Sequence, residues 1–374
     1  MSTKIKKDTK DKEYSSDFKD DCKGYTELPD TLSKRKRIIA IGDVHGDLNL
    51  TIENLKIAKV IEVTEKRKNS LEITFEDESK VYYKWIGDDT VIVQVGDQVD
   101  RCRPVGSGRV CVVDKEATID DEHSDVKILD LFTELNRLAK KDNGIVISLL
   151  GNHEIMNYQG NVNYVSYKGV HNKDFEGVNQ KKEYRKKDGS TFDDGIEGRR
   201  YAFREKINKK LACTRQSAVI VGSFIFVHGG IVNELAQNYK IEKVNSVIRK
   251  WLTKKIDDNN SDLENILNSS SISPFWTRLF GHLPSGLSAS DSRCEEITEV
   301  LKTWGDGKNG LKGMVIGHTP QIDKGINSTC GKKIWRVDIG ASKAFDVFDK
   351  IKKSGRKPAV LEIVDDGKEF NILS

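Results

Sequence analysis

Five short apolar runs, each closed by a glycine beside an aspartate, asparagine or histidine, constrain this chain more than any other feature of it. They lie at 37–42, 90–96, 144–151, 223–228 and 312–317. Runs of this length, rich in Ile and Val and nearly unbroken, fit strands buried on both faces. Helical patterns separate several of them. Between Val126 and Lys141, the residues Ile128, Leu131, Leu135 and Leu138 recur at spacings of three and four, which makes one apolar face. Leu235–Leu252 and Glu295–Trp304 repeat that pattern. Strand and helix in alternation predict an α/β domain with helices outside the sheets.

Each run ends in residues that can do chemistry. The first leads into Gly42-Asp43-Val44-His45-Gly46, the second into Gly96-Asp97-Gln98-Val99-Asp100-Arg101, and the third into Gly151-Asn152-His153-Glu154. The fourth ends in His228-Gly229-Gly230 and the fifth in Gly317-His318-Thr319. Four of the seven histidines therefore stand at strand ends beside glycine. In open α/β sheets the ligand crevice lies outside the carboxyl ends of the strands. A single buried histidine is more often a packed core residue than a ligand. Five such coincidences in order are not. Asp, Asn and His make a mixed oxygen and nitrogen donor set, suited to manganese, iron or zinc rather than calcium. Six donors exceed what one tetrahedral ion needs, so two divalent ions sharing a carboxylate are expected. Paired ions of this kind activate water and clamp phosphoryl oxygens.

The remaining composition narrows the class. Net charge is +4 from 62 basic and 58 acidic residues, too balanced for a nucleic-acid binder. The polar stretch 1–34 reads as a flexible charged tail ahead of a catalytic domain at 35–374, and Arg35–Arg37 as its solvated flank. Two insertions are expected: 62–89, with a hairpin pattern at 71–75 and 81–85, and 167–199, a charged surface excursion. No apolar stretch reaches membrane-spanning length, and Met1–Lys12 lacks the apolar core of a signal peptide. The six cysteines show neither zinc-ligand spacing nor the density of a disulfide framework. A reducing, cytoplasmic setting is the expectation.

The motifs GDVHG, GDQVDR, GNHE, VHGG and GHT, in that order, resemble those of PPP-type metallophosphatases in the calcineurin-like phosphoesterase superfamily. The resemblance spans about Lys36 to the C-terminus. Gly151–Gly160, Val315–Gln321 and Trp335–Gly340 look closest to the Shewanella-like protein phosphatases. The resemblance implies a four-layer α-β-β-α sandwich of two mixed sheets. It implies a phosphatase that cleaves phosphate monoesters, on phosphoprotein, by in-line attack of a metal-bridging hydroxide. Asp43 and His45 would bind one ion, Asp97 would bridge both, and Asn152, His228 and His318 would hold the other. His153 would protonate the leaving oxygen with Asp100 orienting it, and Arg101 would clamp phosphate together with Asn152. Arg278 is the candidate for a second phosphate-binding arginine. The tail motif of the eukaryotic Ser/Thr enzymes is not visible, so no regulatory subunit is assumed. Cys102 stands where the family usually writes glycine.

Three other readings compete. A cysteine phosphatase needs Cys-x5-Arg, and Cys330 to Arg336 has that spacing. Its loop is not glycine-rich and leads into a strand-like run rather than a helix. A nucleotide or dinucleoside-polyphosphate phosphoesterase on the same metal core stays open. A non-enzymatic metal-binding scaffold would require a lost ligand, and all six are present. The glycine-rich stretch 305–310 lacks the lysine of a P-loop.

Overall fold

The computed structural model describes residues 18–104, 110–267, 269–305, 310–349 and 356–374. Residues 1–17 of the expected tail, and most of the 305–310 stretch, lie outside these. The five apolar runs form strands: β2 (Arg37–Ile41), β6 (Val91–Gln94), β7 (Ile145–Leu149), β10 (Phe224–Val227) and β11 (Gly313–Ile316). They divide between two six-stranded sheets. One runs β15-β14-β2-β6-β7-β8, where β8 is Arg215–Gln216, β14 Val360–Val364 and β15 Glu369–Leu373. The other runs β1-β9-β10-β11-β13-β12, with β1 Thr31–Leu32, β9 Ala218–Val221, β12 Asn327–Thr329 and β13 Ile334–Arg336. Both sheets are mixed. In the first, β2, β6, β7 and β8 are parallel while β14 is antiparallel to β2. In the second, β10, β11 and β13 are parallel and β9 opposes β10.

Alternation along the strands sorts side chains between layers. Ile38, Ala40, Val91 and Val93 of the first sheet meet Val219, Phe224, Phe226 and Val315 of the second in a shared core. Ile39, Ile41 and Ile92 point the other way, beneath the helices Leu48–Ile57 and Asp125–Ala139. Ile225, Val227 and Met314 face the helices Ile241–Leu252 and Glu295–Trp304. The result is a four-layer α-β-β-α sandwich. Leu235–Leu252 divides into two helices, Asn233–Asn238 and Ile241–Leu252. Among the described residues no helix is long and apolar enough to cross a membrane.

Three expectations need correction. The tail is not free up to residue 34: Phe18, Cys22 and Leu28 are buried, and β1 pairs with β9 in parallel. The cysteines are not free thiols. Cys22–Cys213, Cys102–Cys111 and Cys294–Cys330 are disulfides, separated by 191, 9 and 36 residues. Sequence spacing hides such pairs because the fold, not the chain, brings them together. The inference of a reducing compartment from these cysteines loses its basis. The stretch 167–199 is not a loose excursion either. It buries Val170, Phe175 and Tyr184 and ends in the fully buried Arg199. The 62–89 insertion does carry the expected hairpin, β4 (Leu71–Thr74) with β5 (Lys80–Trp85). A third strand, β3 (Ile61–Thr64), completes a small antiparallel sheet on the outer helices.

Candidate metal centre

The motif loops leave the ends of β2, β6, β7, β10 and β11 and meet at one point between the two sheets. Two glycines make the approach possible. A Cβ on Gly151 would lie 2.1 Å from Asp97 Oδ1, and one on Gly317 would lie 2.3 Å from Asp43 Oδ1. Tight turns also put four non-glycine residues in the left-handed region: His45 (φ 41°), Asp97 (54°), Asp100 (74°) and His318 (66°). Such conformations are costly and cluster at functional sites.

Asp97 is the hub. Its Oδ2 lies 3.2 Å from His228 Nε2, 3.8 Å from His45 Nε2 and 3.8 Å from His153 Nε2. Asn152 Oδ1 is 2.9 Å from His228 Nε2, and His45 Nε2 is 3.9 Å from Asp43 Oδ2. The donor atoms of His45, Asp97 and His153 fall within 4.8 Å of one another, as do those of Asp97, His228 and His318. All these residues are buried. Asp97 belongs to both groups.

Each imidazole is held by one ring nitrogen, which leaves the other for the centre. His45 Nδ1 faces Val99 O (3.2 Å), His228 Nδ1 faces Val95 O (2.9 Å) and His318 Nε2 faces Trp276 O (3.1 Å). A proton on the held nitrogen fixes a tautomer whose lone pair on the other nitrogen can ligate a cation. Burial, reinforced by neighbouring cations, holds His45 and His318 well below the usual imidazole range, which favours the neutral form that can ligate a cation. Burial opposes ionisation of Asp97, yet His228, His153 and His45 keep its carboxyl well below the usual range. His228 is raised because the Asp97 charge outweighs its burial. A bound cation would neutralise that same charge.

Asp338, just beyond β13 in the Trp335–Gly340 segment, lies beside these donors, although the sequence reading assigns it no role. Burial, then Asp338 and Asp97, push Asp43 well above the usual carboxylate range, and burial foremost raises Asp338 to about 6. Asp43 Oδ1 and Asp338 Oδ2 are buried and find no hydrogen-bond partner among the described residues. Neighbouring carboxylates, each with one oxygen already held by a backbone N–H and the other without a partner, fit divalent cations beside these imidazoles.

A supporting network surrounds this set. Glu154 accepts from the backbone N–H groups of Asp97 (3.0 Å), Gln98 (2.7 Å) and Gly151 (2.7 Å), clamping two motif loops together. Burial, then the nearby Asp97, raises its carboxyl to about 7. Asp100 Oδ2 lies 2.8 Å from His153 Nδ1, and its Oδ1 accepts from Asn157 (2.8 Å) and Arg199 (3.3 Å). Sequence reasoning assigns no role to Glu154, Asn157 or Arg199. Arg199 sits at the end of a charged stretch that looks wholly solvated.

Of the two expected arginines, Arg278 stays at the rim and donates to His318 O (2.6 Å). It lines a cavity of about 590 Å³ with Thr319, Phe345 and Phe348. Arg101 is held at the edge of the centre, its Nε buried without a hydrogen-bond partner among the described residues. Its guanidinium donates to Gly46 O (3.2 Å), Glu122 Oε1 (3.1 Å) and Asp120 O (3.0 Å), and lies 3.5 Å from Asp47 Oδ2. The left-handed turn at Asp100 sends it to this acidic pocket beside the centre. Cys330 is also excluded as a nucleophile, being disulfide-bonded, while Arg336 is buried against Asn327 and Gly281 O.

A two-sheet sandwich with Asp, Asn and His converging at its strand ends defines a metallophosphoesterase. Residues 36–321 match the calcineurin-like phosphoesterase model, and the chain belongs to that family. A protein of Acanthamoeba polyphaga mimivirus is 36% identical over 265 residues, covering 65% of this chain and 97% of that protein. Shewanella-like protein phosphatase 2 of Arabidopsis thaliana is 28% identical over 342 residues, covering 84% of this chain and 74% of that protein. The crystal structure of a cold-active protein tyrosine phosphatase from a psychrophilic Shewanella superposes with a TM-score of 0.55 at 20% identity. That match covers 93% of this chain and 83% of the other, and bears on the fold.

Proposed function

We propose that this hydrolase is a dinuclear-metal phosphatase that cleaves phosphate monoesters on proteins by in-line displacement, without a phosphoenzyme. The observation that carries the reading is Asp97, whose carboxylate belongs to both groups of buried donors. One ion would be held by Asp43, His45 and Asp97, with Asp338 beside them, and the other by Asp97, Asn152, His228 and His318. When bound, such a pair polarises phosphoryl oxygens and makes water acidic near neutral pH. His153 donates a proton to the departing oxygen from Nε2, while Asp100 fixes the ring through Nδ1. Arg278 stands where it can meet the phosphate or the flanking peptide. The adjoining cavity has room for peptide side chains against Phe345 and Phe348. Relatives named as Shewanella-like protein phosphatases in Arabidopsis thaliana and Plasmodium berghei support the same reading.

The test is hydrolysis of p-nitrophenyl phosphate with manganese or with chelator, in wild type and Asp97→Asn. Activity that needs metal and collapses by about 10²-fold or more in the variant supports the reading. Activity that survives chelation overturns it. Phosphoserine, phosphothreonine and phosphotyrosine peptides are then compared with ATP and a dinucleoside tetraphosphate. A preference for the nucleotides would replace the phosphoprotein assignment.

A further inference from the structure

We propose that Asp338 is a fourth protein donor to the first ion, joining Asp43, His45 and Asp97 through its Oδ2. This rests on the two-metal part of the phosphatase reading and not on its substrate. That reading leaves the two ions unevenly served. Asp97, Asn152, His228 and His318 surround one, whereas Asp43, His45 and the shared Asp97 are left for the other.

The fold places Asp338 where a donor belongs. β13 lies beside β11 in parallel, with Arg336 opposite Ile316, and the Val337 N–H donates to Ile316 O (2.9 Å). Asp338 therefore stands two residues past the end of its strand, as His318 does past β11 and Asp43 past β2. Ligands of α/β sheets gather at such strand ends. The two sheets touch at this point, because a Cβ on Gly42 would lie 2.1 Å from Val337 O. Glycine at 42 thus lets the loops of Asp43 and Asp338 close on each other.

The side chain is aimed and left unsatisfied. Its Oδ1 accepts from the Gly340 N–H (2.9 Å), and its main-chain O accepts from the Gln321 N–H (2.9 Å). Asp43 is held likewise, its Oδ2 accepting from the His318 N–H (3.0 Å), and the Asp338 charge is felt there. Each carboxylate keeps one buried oxygen, Asp43 Oδ1 and Asp338 Oδ2, with no partner among the described residues. Asp338 is 1% exposed, so bulk water does not solvate it. The charge of Arg103 is felt at Asp338, but its Nη1 donates to Asp100 O and Cys102 O. Buried carboxylates persist where they are paired or coordinate a metal. A divalent ion bound at Asp43 supplies the partner that both oxygens lack.

The experiment compares wild type, Asp338→Asn and Asp338→Ala for manganese binding, and for melting with and without metal. Binding is read by competition with a chelating dye, and stoichiometry by metal content after dialysis. Asp338→Asn keeps the bond from Gly340, because an amide oxygen still accepts, and it removes the charge. One of its two ions should bind about 10- to 100-fold more weakly, while the other stays within about threefold of wild type. Asp338→Ala, with no donor left, should lose at least as much from the same ion. Melting separates a ligand from a structural residue by its sign. In chelator Asp338→Asn should melt no lower than wild type, because the repulsion between two buried carboxylates is gone. With manganese the order should reverse, since wild type gains more from an ion it binds more tightly. Two ions held as tightly in both variants as in wild type would overturn the proposal. So would an Asp338→Asn that melts below wild type by the same margin with and without metal, since the carboxylate would then only hold its turn. A wild type that binds two ions, one of them through Asp338, but hydrolyses no monoester would sink the phosphatase reading and leave this one standing.

Discussion

Replacing Arg199 with methionine should destabilise the protein by about 4 kcal/mol and impair its chemistry selectively. The side chain is 1% exposed and every direction of its guanidinium is used. It donates to Asp125 Oδ2 (2.7 Å), Asp100 Oδ1 (3.3 Å), Asn157 Oδ1 (2.9 Å) and Gly169 O (2.9 Å), and it lies 4.7 Å from the Phe203 ring. Asp100 and Asp125 are both buried and joined again by the Asp100 N–H to Asp125 Oδ1 (3.3 Å). Removing the cation leaves two buried carboxylates facing each other, which costs about 3–5 kcal/mol. Two acceptors left unpaired add about 1 kcal/mol each. Protonation of one carboxyl recovers part of the total, and methionine fills most of the volume, so the cavity contribution is small. Lysine in place of Arg199 restores the charge without the fork and should lose about half as much.

Urea unfolding gives the stability difference, provided the m-value is unchanged. A loss below about 1 kcal/mol would refute the reasoning, because it would mean the two carboxylates do not need the cation. The catalytic arm uses leaving groups. Asp100 holds His153, and Arg199 with Asn157 holds Asp100. A loosened His153 should therefore slow phosphoserine peptides, whose alkoxide leaves only with a proton, far more than p-nitrophenyl phosphate. Equal loss on both substrates would mean that Arg199 supports the fold alone.

Three further outcomes are expected. Cys330→Ser removes a bridge spanning 36 residues, which should cost about 4 kcal/mol of stability while metal-dependent hydrolysis persists; folded but inactive protein would return the mechanism to a thiolate. Asp366 accepts from Ser223 N and Oγ, both at 2.8 Å, and from Lys312 (3.2 Å), with Lys34 at 3.3 Å. Burial opposes ionisation, but these partners hold its carboxyl below the usual value. A folded pKa below the unfolded one gives stability that is present above about pH 4 and lost as pH falls through the folded value. Asp366→Asn should thus melt lower than wild type at pH 7, with the two curves converging in acid; a constant gap down to about pH 2 would contradict this. Glu154→Gln should keep the fold but bind metal about 10- to 100-fold more weakly, read by metal competition, because an amide cannot accept from three backbone N–H groups without also presenting its own donors.

The fold is legible in the sequence because its signals are local. An apolar run of four or five residues followed by Gly-Asp, Gly-Asn, Gly-His or His-Gly is at once a buried strand and the turn that ends it. β2, β6, β7, β10 and β11 each carry both halves. Asp338 escapes because its strand, β13, is three residues long and contains Arg336, so no apolar run announces it. Arg199 escapes for the opposite reason. Its neighbours are charged and exposed, and only the return of the helix Gly195–Ala202 beneath Asp100 converts it into a buried counter-ion.

Arg101 and Arg103 mark the limit of motif reading. The letters of a motif record which residue types occur, whereas the direction of a side chain is set by backbone dihedrals and by what lies within reach. At Asp100 a φ of 74° turns the chain, and Glu122, some twenty positions later, offers Arg101 a buried carboxylate that its charge requires. Two residues on, the chain is tied at Cys102 to Cys111, and Arg103 lies over the Phe345 ring (4.5 Å) and near that of Tyr164 (5.8 Å). Cysteine in place of the motif's glycine is therefore the visible signal. A residue that cannot supply glycine's freedom implies some other constraint on the turn, and here that constraint is covalent.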